Sequence, residues 1–319
     1  MVRHIVRRIL SGILVLWMTS ALVYMGISFA PGDELSARMG PEVVAQMSAA
    51  DMQAARAALG LDRPLPIRYG IWLGKVVRGD LGYSSSEVSS VTDALKNRIG
   101  ASAGLIFVAL LLGVIIGICF GILAAIKENS WIDYLVGSLP VLFIGIPSFI
   151  VSLGCIYFIS IKLNLLPTGE MHEVGNETFT DLVKHMVLPG SVLALTVAAP
   201  IIRYTRASML DVLNSEYMIT ARSKGLSERK IVFTHAFRNA LIPVISIVGM
   251  HVSEIIAGAV ITETIFNWPG MGQLAVRAAN YRDSTMVMGI VLVVAATVVV
   301  GNLLADIAYT IADPRVRLG

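Results

Sequence analysis

The chain has 319 residues, of which 55% are hydrophobic and only 15% are charged, and its mean hydropathy is +0.75. Because average soluble domains contain about 25% charged residues, this composition indicates a protein that resides in lipid. The net charge of +3 is small, and the basic residues form no stripe with interleaved aromatics, which argues against nucleic-acid binding. Cys119 and Cys155 lie within apolar runs, so we interpret them as small core residues without a disulfide or a metal site.

Six segments are apolar and long enough to predict membrane-spanning helices, which require about 20 residues each. They are residues 9–30, 101–126, 134–161, 186–202, 240–261 and 285–307. The first follows three arginines, but its apolar core is longer than the roughly 7–15 residues of a cleaved signal peptide, and no clean cleavage site ends it. We therefore expect a retained first helix and an all-α polytopic membrane protein with six transmembrane helices.

The orientation of these spans follows from the basic residues of the short loops, which concentrate on the cytoplasmic side. If the N-terminus is cytoplasmic, the cytoplasmic segments contain 13 Lys and Arg residues and the short outer loops contain 4. This asymmetry predicts that both termini and the segment 203–239 are cytoplasmic. The loop 31–100 exceeds the length at which the rule applies.

The long loop after the first span has the features of a folded extracytoplasmic cap. Pro41 is suited to the first turn of a helix, and Gly60 is suited to end it. The stretches "LGLDRPLPIRYGIW" and "RGDLGYSSS" that follow predict turns over a partly buried surface.

Two spans carry residues that predict special helix geometry. Gly113, Gly117 and Gly121 in the second span form a stripe of small residues, which lets a neighbouring backbone approach closely in lipid. The third span contains Pro140 and Pro147, which predict a kink because proline cannot donate a helix hydrogen bond. Kinked helices are common beside permeation paths, so Pro147 is a candidate for path lining, although membrane helices generally tolerate proline.

The fifth span carries two ionisable residues, His251 and Glu254, at a spacing that places them on one helix face. Charged groups are costly within a membrane, so these two should face protein or a water-filled cavity. We favour lining of a translocation path over a hydrogen bond that holds two helices in register. A proton relay, and hence a proton-coupled secondary transporter, is the alternative function.

The basic segment "TARSKGLSERK" between the fourth and fifth spans predicts two short helices joined by a tight turn. Ser215 and Ser227 are suited to cap the two helices, and Gly225 is suited to end the first in left-handed geometry. We expect exposed apolar side chains on this element, Met218, Ile219 and Leu226, because so short an element cannot bury its own. It would insert into a groove of a cytoplasmic partner or lie on anionic headgroups.

This segment resembles the coupling loop of ABC-importer permeases, in the version typical of the dipeptide/oligopeptide/nickel branch. The similarity extends along the chain through "RRIL", "LGLDRPLPIRY", "RGDLGYS", "HMVLPGSVLAL", "RYTRASMLDVL", "ITETIFNWPGMGQL" and "DPRVR". Together these stretches resemble the B-type permease subunit of peptide transporters. The general form of the loop motif has an acidic residue six positions before the glycine, where this chain has Ile219.

The resemblance implies a type I ABC-importer transmembrane domain with an extracytoplasmic loop domain between helices 1 and 2. It divides the chain into a tail with the first helix (1–30), the loop domain (31–92), the permease core (93–311) with its coupling loop (215–239), and a cytoplasmic tail (312–319). The implied ATPase-coupling residues are Thr220, Ala221, Arg222, Ser223, Lys224, Gly225, Leu226 and Arg238.

The resemblance also implies the partners and the location of the protein. They are a second homologous permease subunit, two cytoplasmic ABC ATPase subunits, a periplasmic or lipoprotein solute-binding protein, and the lipid bilayer of a bacterial inner membrane. The chain lacks the G-x-x-x-x-G-K-[ST] phosphate loop, so ATP and Mg would bind to the partner subunits. We expect no catalytic residue and no cofactor on this chain. The cargo stays open among peptides, nickel chelates, glutathione and oligosaccharides.

Overall fold

The computed structural model describes residues 2–29, 41–237 and 259–312, together with Leu35 and Met39. The chain divides into two compact units. One unit contains Ser102–Pro269 and the residues from Val300 onwards, and the other contains Val2–Ala101 and Gly270–Val299.

The described residues are predominantly helical. The helices are α1 (Val2–Phe29), α2 (Pro41–Ala45), α3 (Ala49–Ala58), α4 (Leu65–Val77), α5 (Val91–Ile126), α6 (Trp131–Gly145), α7 (Ser148–Cys155), α8 (Phe179–Leu213), α9 (Glu216–Ser223), α10 (Glu228–Lys230), α11 (Met271–Asn280) and α12 (Ser284–Ala312). Two π-helical segments, Ile156–Lys162 and Ile231–Ala236, continue α7 and α10. The strands β1 (Tyr83–Ser84) and β2 (Ser89–Ser90) pair antiparallel.

Four helices among the described residues are long and apolar enough to cross a membrane, and they correspond to four of the six predicted spans. They cover Val6–Phe29, Val91–Ile126, Phe179–Leu213 and Ser284–Leu304. The predicted fifth span, residues 240–261, lies largely outside the described residues. The total of six spans therefore stays a prediction.

The predicted third span is not one continuous helix. Helix α6 ends at Gly145, and α7 begins at Ser148 with Pro147 as its N-cap. Between them, Ile146 is extended, with φ −95° and ψ 123°. A residue before proline is driven out of helical geometry by the proline ring, so Pro147 breaks this span where a kink was expected.

The loop after α1 contains more helix than the sequence analysis predicted. The expected helix between Pro41 and Gly60 is divided into α2 and α3, and Ser48 caps α3 by accepting a hydrogen bond from the Asp51 amide at 3.2 Å. Gly60 follows α3 with φ +69°, as its position predicted. The turns expected in "LGLDRPLPIRYGIW" are present at residues 59–62, but the expectation was wrong for residues 65–77, which form α4. Prolines at the start of a helix support its first turn.

In the unit that contains α1, the core forms where the start of α5 packs against α11 and the start of α12. Its buried residues are Val91, Ala94, Leu95, Met271, Leu274, Ala278, Met286 and Ile290. This cluster joins residues that are almost 200 positions apart in the sequence.

One buried carboxylate ties the β-hairpin to α12 in the same unit. Asp283 is 2% exposed, and its Oδ2 accepts hydrogen bonds from the Ser84 hydroxyl at 2.6 Å and from the Ser86 amide at 3.0 Å. Its Oδ1 accepts from the Met286 amide at 3.0 Å, in the first turn of α12. Burial alone would raise the pKa of Asp283, but the hydrogen bonds from Ser84, Ser86 and Met286 outweigh it, so the pKa lies below its ordinary value of 3.8.

In the other unit, α8 lies directly against the glycine stripe of α5. A Cβ at Gly113 would lie 2.6 Å from the Val197 side chain, and one at Gly117 would lie 2.5 Å from Ile201. A Cβ at Gly121 would lie 2.5 Å from Thr205. No side chain larger than hydrogen fits at these positions, so the stripe sets the separation of the two helices.

We expect Gly117→Ala to lower the melting temperature of the protein in lipid nanodiscs, because the added methyl group must displace Ile201. Overpacking of this kind costs about 1–3 kcal/mol. Gly104→Ala is the matched control, since nothing lies within 4 Å of a Cβ there and alanine favours a helix. Equal melting temperatures for the two variants would contradict the close packing.

We also expect Asp283 to contribute a pH-dependent part of the stability. Because its pKa is lower in the folded state, this contribution is complete above the ordinary carboxyl pKa and is lost as the pH falls through the folded value. Asp283→Asn should therefore lower the melting temperature near neutral pH (about pH 7). On acidification, the melting temperature of this variant should fall less than that of the unsubstituted protein. The exposed Asp62→Asn serves as control, and an unchanged acid profile in Asp283→Asn would refute this assignment.

Candidate functional site

The predicted coupling segment folds as two short helices with a glycine turn between them, and residues 215–237 are here termed the bracket. Gly225 has φ +76°, the left-handed geometry that its position predicted. Its amide donates to the Arg222 carbonyl at 2.9 Å, and the Leu226 amide donates to the Ala221 carbonyl at 3.4 Å. This pair of bonds is the Schellman motif, which satisfies the last carbonyls of α9 and reverses the chain.

The bracket is anchored to α5 and α8 through a buried methionine. Met218 is 0% exposed, so the expectation that it would be exposed was wrong. It belongs to a cluster with Ile122, Ala125, Met209, Leu213, Ile231, Val232 and Ala236. Ala221 and Leu226 pack against the same cluster. The bracket buries these side chains because the ends of α5 and α8 provide an apolar surface beneath it.

An ion pair fixes the two arms of the bracket relative to each other. The Arg222 Nε donates to Glu228 Oε1 at 2.9 Å, and its Nη1 donates to the Leu213 carbonyl at 3.4 Å. Both side chains are substantially exposed, so the pair contributes at most about 1 kcal/mol. Arg222 therefore acts first as a brace within the chain.

The opposite side of α9 is exposed and carries the remaining described coupling residues. Thr220, Ser223, Lys224 and Gly225 are exposed, and the side chain of Ile219 is 57% exposed. The Thr220 and Ser223 hydroxyls each donate to the carbonyl four residues earlier, at 3.1 Å. With these donors engaged, the surface is formed mainly by small groups around Ile219. Arg238 lies outside the described residues.

The base of the bracket contains an ion pair between a buried carboxylate and a partly exposed arginine, which the sequence analysis missed. Asp133, at 5% exposure in the first turn of α6, binds Arg206 of α8 with both oxygens, at 2.5 and 2.7 Å. The Asn129 amide also donates to Asp133, at 3.0 Å. Arg206 lies one turn before Met209, so the pair holds α6 against the part of α8 on which the bracket rests. Its only sequence signal was a carboxylate just before one predicted span and an arginine four residues beyond another.

The candidate path residues are only partly within the described structure. His251 and Glu254 lie outside it, so their role stays a prediction. Pro147 is described and lies at the exposed break between α6 and α7.

A polar cavity of about 960 Å³ lies beside the N-terminal end of α8. The Asp181 carboxylate in its lining accepts from the Glu173 amide at 2.9 Å and lies 3.5 Å from His185 Nε2. The Gly169 backbone contacts the Phe266 backbone there, and the Glu170 amide donates to the Phe266 carbonyl at 2.7 Å. The cavity therefore offers hydrogen-bonding groups of both charges.

The long apolar helices among the described residues define a polytopic membrane protein. The family of binding-protein-dependent transport system inner membrane components matches residues 117–318, and its separate N-terminal family matches residues 1–105. The chain belongs to this family of transport permease components.

Relatives match the chain over its full length. A provisionally named peptide permease protein of Brucella suis biovar 1 (strain 1330) is 39% identical, with 100% of both chains covered. The oligopeptide transport system permease protein AppB of Bacillus subtilis (strain 168) is 38% identical over 99% of this chain and 100% of its own length. The glutathione transport system permease protein GsiC of Escherichia coli (strain K12) is 34% identical, with 99% of both chains covered.

Solved structures share the fold at low sequence identity. An inward-facing conformation of the MetNI methionine ABC transporter matches with a TM-score of 0.57 and 16% identity, covering 69% of this chain and 96% of the matched chain. The crystal structure of an amino acid ABC transporter with histidines matches with a TM-score of 0.51 and 17% identity, covering 70% of this chain and 95% of the matched chain. The described helices thus have the fold of an ABC transporter membrane subunit.

We expect Asp133→Ala to destabilise the protein by about 1–3 kcal/mol, measured by thermal unfolding in nanodiscs. Breaking a fully buried pair costs more, about 3–5 kcal/mol, but Arg206 is 31% exposed and water partly solvates it. The control Glu228→Gln removes an exposed pair and should change the stability by less than about 1 kcal/mol. The double variant Asp133→Ala/Arg206→Ala should recover part of the loss, and full additivity of the two single losses would contradict a direct pair.

Proposed function

We propose that this chain is the permease subunit of an ATP-driven ABC importer and that the bracket couples it to cytoplasmic ATPases. The observation that carries the proposal is the division of α9 into two faces. Met218 and Ala221 attach it to the membrane helices, whereas Thr220, Ser223 and Gly225 leave a compact, exposed surface. An element with this division can receive a partner on one face and transmit its displacement through the other.

The transmission requires a rigid connection, and three contacts supply it. The Schellman turn fixes the angle between α9 and α10, and the Arg222–Glu228 pair braces it. The Met218 cluster joins α9 to the ends of α5 and α8. When ATP binding closes the two ATPases, a shift of α9 would pass to these helices and open the path to alternate sides.

The remaining subunits follow from the same proposal. A second homologous permease would complete the translocation path, and a solute-binding protein would deliver the cargo on the outer side. ATP and Mg would bind to the ATPase subunits, and both termini of this chain would face the cytoplasm. The polar cavity beside α8 fits the outer part of such a path because it presents groups of both charges.

We propose small peptides, or solutes of similar size and polarity, as the cargo. AppB is named for oligopeptide transport and GsiC for glutathione transport. A short peptide backbone is the feature that these two cargoes share. Ligand screening of the cognate solute-binding protein tests this choice directly. Membership in a binding-protein-dependent family favours ATP-driven import over a proton relay through His251 and Glu254.

We expect Gly225→Glu to leave the protein inserted in the membrane and to abolish uptake of a labelled peptide by cells with the complete transport system. A Cβ at Gly225 meets nothing within 4 Å in this chain, so the new side chain would obstruct only a docked partner. Gly60→Glu is a matched control, since Gly60 also has positive φ (+69°) and closes a Schellman turn. In that turn the Gly60 amide donates to the Ala57 carbonyl and the Leu61 amide donates to the Arg56 carbonyl. Both variants carry a similar backbone cost of about 1 kcal/mol.

Cross-linking distinguishes docking of the bracket to an ATPase from binding of the bracket to the lipid surface. A photoreactive group attached at Ser223 should capture an ATPase subunit in the assembled transporter. Normal uptake in Gly225→Glu, equal losses in both glycine variants, or capture of lipid alone from Ser223 would each overturn the proposal.

A further inference from the structure

Helix α4 is apolar on the side that faces α1 and also on the side that faces away from it. Tyr69 and Trp72 are partly buried toward α1, whereas Ile67 and Ile71 on the outward side are 51% and 43% exposed. The 13 residues of α4 include no Asp or Glu. A helix on the surface of a water-exposed domain carries polar residues outward. The charged residues of α4 are Arg68, which is partly buried, and Lys75, and its other exposed residues are apolar or glycine.

Contacts with α1 establish the depth of α4. The Tyr69 hydroxyl lies 2.8 Å from the Ser20 hydroxyl and donates to the Trp17 carbonyl at 3.3 Å. The rings of Tyr69 and Trp72 lie 5.5 and 5.8 Å from that of Tyr24. All three α1 residues belong to the apolar span that ends at Phe29, and Tyr24, Ser20 and Trp17 lie about 8, 14 and 18 Å from that end at 1.5 Å per residue. The ring of Tyr69 therefore lies beside Tyr24, and its hydroxyl reaches one turn deeper.

We propose that α4 is an interfacial helix, embedded at the boundary between headgroups and acyl chains in the leaflet where α1 ends. Interfacial helices bury their apolar face about 5–10 Å below the headgroups, which agrees with the position of Tyr24. Ile67 and Ile71 contact acyl chains there. Lys75, exposed in the last turn, reaches the phosphate layer along its aliphatic stem. Part of the loop predicted as an extracytoplasmic cap therefore lies within the bilayer.

Spin labels measure this depth directly. Nitroxides are placed at Ile67→Cys or Ile71→Cys, in a background with Cys119 and Cys155 replaced by alanine. The assembled transporter is studied in nanodiscs of phosphatidylethanolamine and phosphatidylglycerol. The control is Gln53→Cys on α3, which is exposed and polar. Collisions with oxygen should dominate at residues 67 and 71, and collisions with a water-soluble nickel complex should dominate at residue 53.

Two results would overturn the interfacial position. Nickel accessibility at residues 67 and 71 equal to that at residue 53 would place α4 in water. Protection of both positions from oxygen and from nickel would show that another protein surface covers them. The readout is independent of transport, so failure of this inference leaves the assignment of the bracket intact.

Discussion

The close contact between α5 and α8 is the interaction on which the larger unit depends. The three glycines of α5 let the two helices approach until Val197, Ile201 and Thr205 fill the space that side chains would occupy. The same two helices continue beyond the stripe, and their ends supply Ile122, Met209 and Leu213 to the cluster beneath the bracket. A wider helix separation would leave Met218 without a complete binding surface. The helix packing and the bracket are thus parts of one frame.

The bracket is held rigid by a few residues, each of which makes a specific contact. The left-handed residue Gly225 reverses the chain, Leu226 and Ala221 secure the reversal by packing, and Arg222 joins the second arm to the carbonyl of Leu213. The other exposed side chains of α9 are therefore not needed to hold the bracket together. The Thr220 and Ser223 hydroxyls bond to carbonyls within α9, which lowers the cost of desolvating the exposed face.

Features that depend on local chemistry or on regular spacing could be predicted from the sequence. The left-handed turn at Gly225 follows from one residue type at a helix end, and the glycine stripe and four spans follow from periodicity and length. The burial of Met218 could not be predicted in this way, because its cluster is completed by Ile122 and Ala125 on α5, about 90 residues earlier. The Asp133–Arg206 pair likewise joins two helices with no shared pattern. The sequence predicted a kink at Pro147 where the structure has a break, because a proline in a membrane helix is compatible with either a kinked helix or the end of a helix.

The hydrogen bond between Ser84 and Asp283 spans 199 positions of the chain and has a consequence for biogenesis. The β-hairpin is synthesised first, and the carboxylate that satisfies its hydroxyls follows 199 residues later. At roughly 5–20 residues per second, the hairpin waits on the order of 10–40 s for its partner. During that interval the Ser84 and Ser86 donors bond to water or to a chaperone, and the start of α5 lacks the core residues of α11 and α12. This core therefore stays incomplete until α11 and α12 have been synthesised.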